Sequence, residues 1–410
     1  MNELKLEKYA KLLVYSGLHV KKGQVVVVRS PLEGYPLVRL VTKYAFEAQA
    51  KDVIVKYNDE VVDHERYLHA DADVFENVRE YDALFYNETA QEGACYLSLI
   101  GEDPDLMKDV DPKRMSSYQS LLKSKTKPYR QALDTMKNQW CIAAISTENW
   151  AKKVYPNQED ALNLLWEDIF TVSRIDDKDP IQNWEDHKLS FEKKVKVLND
   201  MDIVSLHYTN SLGTDLEVGL PENYIFCGGG SYLMDGTYYF PNIPTEEIFS
   251  MPHRLKVNGK LYSAMPLCHH GALVKDFWFE FKEGRVVDYD AKEGKDVLTS
   301  ILETDEDSRY LGEVALVPYG SPISQLNRQF YTTLIDENAS CHFALGQSYQ
   351  ECIQDGLTSE EDVLLAQGAN QSLSHVDFMV GTKDLSIVAT TKENKQFPIF
   401  VEGRFSSLFD

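Results

Sequence analysis

The sequence is long, acidic and ordinary in its apolar content, and these properties limit the kinds of protein it can be. Its 410 residues exceed what one hydrophobic core usually supports, so roughly two or three domains are expected. An apolar fraction of 43% argues against disorder, and a net charge of −23 argues against binding to DNA, RNA or anionic lipid, which require clustered Lys and Arg.

The N-terminal segment predicts a helix and not a targeting signal. Residues 1–17 are charged and amphipathic, with apolar side chains at helical spacing up to Gly17, a suitable C-terminal cap. No later run approaches about 18 apolar residues, so no membrane span is predicted. The six cysteines form no C-x-x-C pair, which predicts reduced thiols in a cytoplasm and no structural zinc finger.

Strand and helix patterns alternate in the first part of the chain. They follow in this order: a continuous apolar strand at QVVVVRS (24–30), a helix at 37–50, a strand at 52–59, strand signals at YDALFYNE (81–88) and CIAAIS (141–146) with helical material between them, and helical material from about 157 to 199. This order predicts an N-terminal α/β domain, residues 1–199, built on a mostly parallel sheet.

Short strand patterns separated by turn residues dominate from about residue 200. The pair Asn258-Gly259 predicts a type I′ hairpin, and FKEGRVVDY (281–289) predicts another. One helix is predicted within 294–313. The remainder, residues 200–410, is expected to form an α+β domain built on an antiparallel β-sheet.

Polar residues in apolar surroundings are concentrated in this second part. In SLSHVDFMVG (372–381), His375 and Asp377 are two apart, so on a strand they project from the same face and need partners. The other candidates are Glu246, Glu247, Glu313, Glu337, His342 and Tyr349. Each one alone is more readily explained as a solvated strand end, a core histidine or a structural tyrosine than by chemistry.

Taken together, these residues suggest a pair of divalent cations. Glu247, Glu313, Glu337 and Asp377 would carry −4 if they met, and two divalent ions would balance that charge. Mixed histidine and carboxylate ligands suit zinc, cobalt or manganese better than calcium. Two such ions can share a hydroxide and polarise a carbonyl. The adjacent Glu246 and Glu247 face opposite ways in an extended segment, so at most one is a ligand.

Several blocks around these residues resemble one enzyme family over essentially the whole chain. NIPTEEIF, DSRYLGEVALVP with GSPIS, LIDENASCHFALG and HVDFMVG, with GEDPDLM and WAKKVYPN upstream, resemble the thermophilic-type metalloaminopeptidases (aminopeptidase T, aminopeptidase S and PepS). The resemblance implies a C-terminal two-metal catalytic domain, a homodimer that encloses the active sites in an internal cavity, and a bacterial cytoplasmic location.

The family's site residues carry over to matching positions of this sequence. The resemblance implies the catalytic tyrosine Tyr349 and the following metal ligands: Glu247, Glu313, Glu337, His342, His375 and Asp377.

The implied reaction is hydrolysis of the N-terminal residue from a peptide with a free N-terminus. In this account one metal holds the α-amine, a metal-bound hydroxide attacks, and Glu313 or Glu246 moves the proton. Tyr349 donates to the oxyanion.

Other functions remain open from the residues alone. A two-metal phosphoesterase would use the same ions, although no Lys/Arg cluster adjoins the motifs. A nucleotide-binding protein or a serine hydrolase would need G-x-x-x-x-G-K-[ST] or G-x-S-x-G, and neither motif occurs. The pair His269-His270 is a possible second metal site, and a non-enzymatic scaffold is the remaining class.

Overall fold

The computed structural model describes residues 2–176, 178–269 and 271–410. His270, half of the His269-His270 pair considered above, therefore lies outside the described residues. Of the helices in these ranges, none combines the length and the apolar character that a membrane crossing requires. The six cysteines are free thiols.

Helices and strands alternate in the first part of the chain, and strands dominate the second. The helices are α1 (Glu3–Leu12), α2 (Tyr35–Glu47), α3 (Glu60–His69), α4 (Glu80–Gln91), α5 (Pro112–Lys125), α6 (Lys127–Asp134), α7 (Glu148–Val154), α8 (Ala161–Val172), α9 (Pro180–Asn199), α10 (Lys295–Leu302), α11 (Pro322–Leu326), α12 (Thr333–Asp336) and α13 (Glu361–Ala366). The strands are β1 (Val25–Pro31), β2 (Asp52–Asn58), β3 (Cys95–Ile100), β4 (Trp140–Ala144), β5 (Ile203–Thr209), β6 (Asp215–Gly219), β7 (Cys227–Gly228), β8 (Ser231–Tyr232), β9 (Tyr238–Tyr239), β10 (Asn242–Ile243), β11 (Ile248–Ser250), β12 (Val257–Tyr262), β13 (Leu267–His269), β14 (Ala272–Lys282), β15 (Arg285–Glu293), β16 (Leu311–Leu316), β17 (His342–Gly346), β18 (His375–Met379), β19 (Ser386–Thr391), β20 (Gln396–Val401) and β21 (Arg404–Phe405).

The first compact unit, Met1–Asp186 with Gly230–Pro244, contains a parallel sheet. Its strand order is β10–β4–β3–β1–β2, and every neighbouring pair is parallel. The four consecutive valines of β1 are buried, as expected for a strand covered on both faces. The α/β prediction for this part of the chain is confirmed.

One element of this unit was predicted wrongly. YDALFYNE is part of helix α4, whereas the strand between β1 and β4 is β3. Ala83 and Ala90 are both buried and lie seven positions apart, a spacing of two helical turns. On a strand, residues seven positions apart would face opposite sides. The short run of aromatic residues imitates a strand because periodicity is ambiguous over eight residues.

One segment from the second part of the chain is part of the first unit. Gly230–Pro244 belongs to the first unit, and its strand β10 pairs with β4 at the edge of the parallel sheet. The sequence-based division between residues 199 and 200 places this segment in the second domain instead.

The second unit, His187–Gly229 with Thr245–Asp410, contains two antiparallel sheets. The site sheet has the order β18–β17–β16–β11–β7. The larger sheet runs β13–β14–β12–β6–β5–β19–β20–β21, with β15 beside β14. The prediction of an antiparallel C-terminal part is confirmed. Their apolar faces form a common core, in which the ring of Phe378 in β18 lies 5.2 Å from that of Phe279 in β14.

Of the two predicted hairpins, one forms and the other does not. Glu283 and Gly284 both have positive φ and connect β14 to β15, as a two-residue type I′ loop requires. Asn258 and Gly259 instead lie inside β12, which pairs with both β6 and β14. A Cβ on Gly259 would approach the carbonyl oxygen of Asp215 to 2.2 Å, so the glycine permits close strand approach and not a turn.

The helix predicted within 294–313 is confirmed only in its first part. Helix α10 covers Lys295–Leu302, and a 3₁₀ turn over Glu306–Arg309 leads into β16. The carboxylate of Asp305 accepts a hydrogen bond from the backbone N–H of Ser308 and caps this turn, so local polar contacts replace the helix.

Candidate metal centre

The site sheet aligns polar side chains from three neighbouring strands on one face. Ala315 of β16 lies opposite His342 of β17, and Ala344 of β17 pairs with both Glu313 of β16 and Asp377 of β18. Residues opposite one another on neighbouring strands share a face, as do residues two apart on one strand. The three polar side chains therefore project together, and the small alanines between them leave room.

Two further groups complete this face. Glu247 directly precedes β11, the other neighbour of β16, and its Oε2 lies 3.1 Å from Nε2 of His342. His375, two residues before Asp377, places Nε2 at 3.0 Å from Oε2 of Glu313 and at 3.1 Å from Oδ1 of Asp377.

The ligand atoms form two overlapping groups. One contains Glu247, Glu313 and His342, and the other contains Glu313, His375 and Asp377; within each group all ligand atoms lie within 4.8 Å of one another. Glu313 belongs to both. Such a donor set fits divalent cations such as zinc, cobalt or manganese, and the overlap at one carboxylate fits a pair of adjacent ions.

Glu337 stands beside these groups and belongs to neither. It opens the 3₁₀ turn Glu337–Ala339, and its Oε1 accepts a hydrogen bond of 3.3 Å from Nδ2 of Asn338. Burial, and next the carboxylates of Glu247 and Asp377, hold the pKa of Glu337 well above its usual range. The carboxyl therefore lies close enough to the other acids to feel their charge.

The imidazoles are oriented by backbone carbonyls. Nδ1 of His375 lies 2.8 Å from the carbonyl oxygen of Gln347, and Nδ1 of His342 lies 3.2 Å from that of Ser340. Because a carbonyl oxygen can only accept, each Nδ1 carries a proton, and each Nε2, where a second proton or a metal ion can bind, points at the carboxylates. This is the tautomer that a metal-ligating histidine with a backbone partner adopts.

The concentration of negative charge raises the pKa of both histidines. Burial opposes protonation of His342, which is 1% exposed, but Glu247, Glu313 and Asp377 outweigh it and raise the His342 pKa to about 10. Burial also raises the pKa of Glu313, with His375 acting against it. The site attracts positive charge, and protons and metal ions would compete for it.

Adjacent glutamates before β11 face in different directions. The carboxylate of Glu247 contacts His342, whereas Oε2 of Glu246 lies 3.8 Å from Nε2 of His187. This matches the expectation that at most one of the two faces the cluster. Glu246 is 6% exposed, and its backbone N–H donates to Oδ1 of Asn338 at 2.6 Å.

Tyr349 lies beside the cluster and follows β17. Its ring is 4.9 Å from the ring of His375. Burial of the phenol, and next the carboxylates of Glu313 and Asp377, raise the Tyr349 pKa well above its usual range, although 43% of the surface of the whole residue is exposed. The phenol therefore keeps its proton and can donate it in a hydrogen bond.

The structure thus brings the predicted residues together in one unit, and it adds residues that the sequence analysis missed. Asn338 connects the Glu246 backbone to the Glu337 carboxylate, and the carbonyls of Ser340 and Gln347 orient the histidines. Asn338 directly follows Glu337, so the sequence already places it next to a predicted ligand. Its hydrogen bond to the Glu246 backbone could not be predicted, because it joins segments about 90 residues apart in the chain.

Comparison with known proteins gives concordant matches over the whole chain. Residues 2–405 match a family model described as thermophilic metalloprotease (M29). The chain is 40% identical over 404 residues to "Aminopeptidase AmpS" of Bacillus subtilis (strain 168), and 40% identical over 406 residues to "Aminopeptidase 2" of Geobacillus stearothermophilus, with 98% of each chain covered. The solved structure "Wild-type AmpT from Thermus thermophilus" matches with a TM-score of 0.92 at 34% identity, covering 98% of this chain and 99% of the other.

Proposed function

Because this chain belongs to the thermophilic metalloprotease (M29) family and is a metal-dependent aminopeptidase, we propose that it releases N-terminal residues from peptides at a two-metal centre in its second unit. The resemblance that the sequence motifs indicated is confirmed by the family match. Beyond the family's activity, we propose the number of ions, the residues that would hold them and the chemical steps.

The proposed ligands divide between two ions. Glu247 and His342 would hold one ion, His375 and Asp377 would hold the other, and Glu313, which belongs to both groups, would contribute to both. Glu337 completes the set, held in place by Asn338. Zinc, cobalt and manganese all suit these ligands. When bound, the ions supply a hydroxide near neutral pH and polarise the scissile carbonyl.

The chain's own residues then act on the substrate and its protons. Glu313 lies between the two groups, so it is positioned to accept a proton from a water there and to return it to the leaving amine. The Tyr349 phenol, which keeps its proton, donates a hydrogen bond to the developing oxyanion. Glu246, facing His187, holds the segment that carries Glu247.

The surroundings of the site are also part of the proposal. The enzyme is proposed to act as a homodimer on peptides with a free N-terminus, in a bacterial cytoplasm. Free thiols at all six cysteines are compatible with that compartment.

The observation that carries this proposal is the pair of histidines whose Nδ1 atoms are held by backbone carbonyls while their Nε2 atoms face three carboxylates, those of Glu247, Glu313 and Asp377. The test is release of free amino acids from a small peptide panel before and after chelation, with Zn²⁺, Co²⁺ or Mn²⁺ added back. Release that needs the added ion and disappears in Glu247→Gln supports the assignment. Full activity in Glu247→Gln, or faster hydrolysis of a phosphate ester than of any peptide, contradicts it.

A further inference from the structure

The segment that leads into β18 is held by hydrogen bonds and not by packing. Ser372, Leu373 and Ser374 directly precede His375, the first residue of the strand. Leu373 is the apolar residue of the three, and it is 82% exposed, so contacts with the core do not fix the path of this segment. Its position therefore depends on its polar contacts.

One carboxylate, that of Asp305, supplies much of this hold. Its Oδ2 accepts a hydrogen bond of 2.7 Å from the backbone N–H of Leu373. The hydroxyl of Ser372 donates to the same carboxylate, with its oxygen 3.0 Å from Oδ1 and 2.9 Å from Oδ2. Burial acts to raise the pKa of Asp305, but the hydrogen bonds from Leu373, Ser308 and Ser372 outweigh it and lower that pKa. Asp305 is thus an ionised acceptor, and such hydrogen bonds are stronger than neutral ones.

The end of β17 holds the same segment from the other side. Oε1 of Gln347 accepts from the backbone N–H of Ser372 at 2.9 Å, and the backbone N–H of Gln347 donates to the carbonyl of Ser374 at 2.8 Å. The carbonyl of Gln347 is also the group that orients the ring of His375. A displacement of residues 372–374 would therefore disturb both the backbone of His375 and the contact that directs its ring.

These contacts act on one of the two groups of ligand atoms. His375 belongs only to the group that contains Asp377. The histidine of the other group, His342, is oriented by the carbonyl of Ser340 at the opposite end of β17. Within the described chain, Asp305 makes no hydrogen bond to a residue of either group, so its influence reaches the cluster through the segment before His375.

We propose that Asp305 is a positioning residue for the ion that His375 and Asp377 would hold, and that it acts through Ser372 and Leu373 without contacting that ion. This inference rests on the proposed two-metal centre and specifies how the chain builds one of its two sites. Residues that orient metal ligands typically contribute about 10- to 100-fold to metal affinity. Loss of the Asp305 charge should weaken one ion by that factor and leave the other unchanged.

The test is titration of the metal-free protein with Co²⁺, whose visible absorption reports the ligands around the bound ion. The wild type should bind two ions, and Asp305→Asn should weaken one of them about 10- to 100-fold while the other changes by less than about twofold. His342→Ala leaves only the site of His375 and Asp377, so adding Asp305→Asn to His342→Ala should weaken the remaining ion by the same factor.

A milder substitution tests the same contact without removing the carboxylate. Ser372→Ala takes away one donor and keeps the hydrogen bond from Leu373. It should weaken the same ion about threefold and add little to Asp305→Asn, because both changes break one connection. If Asp305→Asn is too unstable to purify, Ser372→Ala decides the question by the same criterion.

Asp384 provides a matched control in the same unit. Its carboxylate also joins two segments, accepting from the backbone N–H of Ser211 at 2.8 Å and from the hydroxyl of Thr382 at 2.7 Å, and neither partner adjoins a proposed ligand. Asp384→Asn should leave the affinity for both ions unchanged.

Three results would overturn the role of Asp305: equal weakening of both ions, unchanged affinity for both, or the same selective loss in Asp384→Asn. Any of them, in a protein whose wild type binds two ions and releases amino acids, leaves the proposed function intact. A wild type that binds fewer than two Co²⁺ ions removes both the two-metal centre and this inference.

Discussion

Each unit of this protein carries a group of clustered acidic side chains, and only one of the two groups has the features of a metal site. In the first unit, Glu33, Glu60, Glu102 and Asp103 lie close together at the carboxyl ends of the parallel strands. In the second, the carboxylates of the site sheet face His342 and His375. Among the described residues, the hydrogen bonds to the first group come from backbone N–H groups, such as that of Asp103, which donates to the Glu60 carboxylate at 2.9 Å.

Clustered acidic side chains alone are therefore not sufficient to define a metal centre. What distinguishes the second unit is the orientation of two imidazoles by backbone carbonyls, which fixes the direction of each Nε2 toward the carboxylates. Among the described residues of the first unit, no comparable set of converging ligand atoms occurs. The following experiments test that distinction, in order of decreasing expected effect.

Removing the shared carboxylate should have the largest effect. Glu313→Gln is expected to lower kcat by about 10³-fold or more and to reduce the bound metal, because one substitution affects both ligand groups. Steady-state kinetics and metal analysis of the purified variant measure both quantities. The equivalent substitution in the other acidic group, Glu60→Gln, should change neither, and equal losses in the two variants would abolish the distinction.

The phenol should affect the chemistry without affecting the metal. Tyr349→Phe removes only the hydroxyl and is expected to lower kcat about 10²-fold, with bound metal unchanged, because the ring keeps its contact with His375. Kinetics together with metal titration separate the two roles. Loss of metal in this variant would make Tyr349 a ligand and not a hydrogen-bond donor.

The amide that ties the ligand segments together should affect metal affinity. Asn338→Ala is expected to weaken metal binding about 10- to 100-fold, because Asn338 holds both the Glu246 backbone and the Glu337 carboxylate. Isothermal titration of the metal-free protein measures this change.

A second asparagine serves as the control for that variant. Asn138 of the first unit is also buried and donates to the backbone carbonyls of Ala90 and Ala94, so Asn138→Ala should lower stability without altering metal affinity. If both variants lose metal equally, Asn338 has only a structural role.

The smallest effect is expected in the acidic group of the first unit, and it depends on pH. Burial, and next the charges of Asp103, Glu102 and Glu33, raise the pKa of Glu60 from 4.5 to about 7. The folded protein therefore keeps a proton that the unfolded chain releases, so stability falls as pH rises from about 4.5 to about 7. Because Glu60 is half-buried, the loss is about 1 kcal/mol.

Glu60→Gln removes that dependence. The variant should match the wild type near pH 4.5 and be more stable above pH 7, as measured by urea unfolding over this pH range. A variant that is destabilised at high pH would show that the carboxylate stabilises the first unit and that the two acidic groups differ less than proposed here.

Much of the architecture could be predicted from local sequence. The valines of β1 predict a buried strand because four consecutive apolar residues leave no polar face. The Glu283-Gly284 turn predicts its hairpin because Gly284 adopts positive φ without steric cost. Errors occurred where local patterns are ambiguous. YDALFYNE has the composition of a strand but lies in a helix. Asn258-Gly259 has the composition of a turn but lies inside a strand, where the glycine allows close packing against Asp215.

The sequence by itself determined which residue types were available for chemistry and on which kinds of element they lie, because side-chain identity and short-range periodicity are properties of neighbouring residues. Only the tertiary structure decided that Glu247, Glu313 and His342 meet, since strand order and register are set by long-range packing. The orientation of the histidines and the link through Asn338 were decided in the same way, because each depends on a backbone group whose direction is fixed only when the sheet has formed.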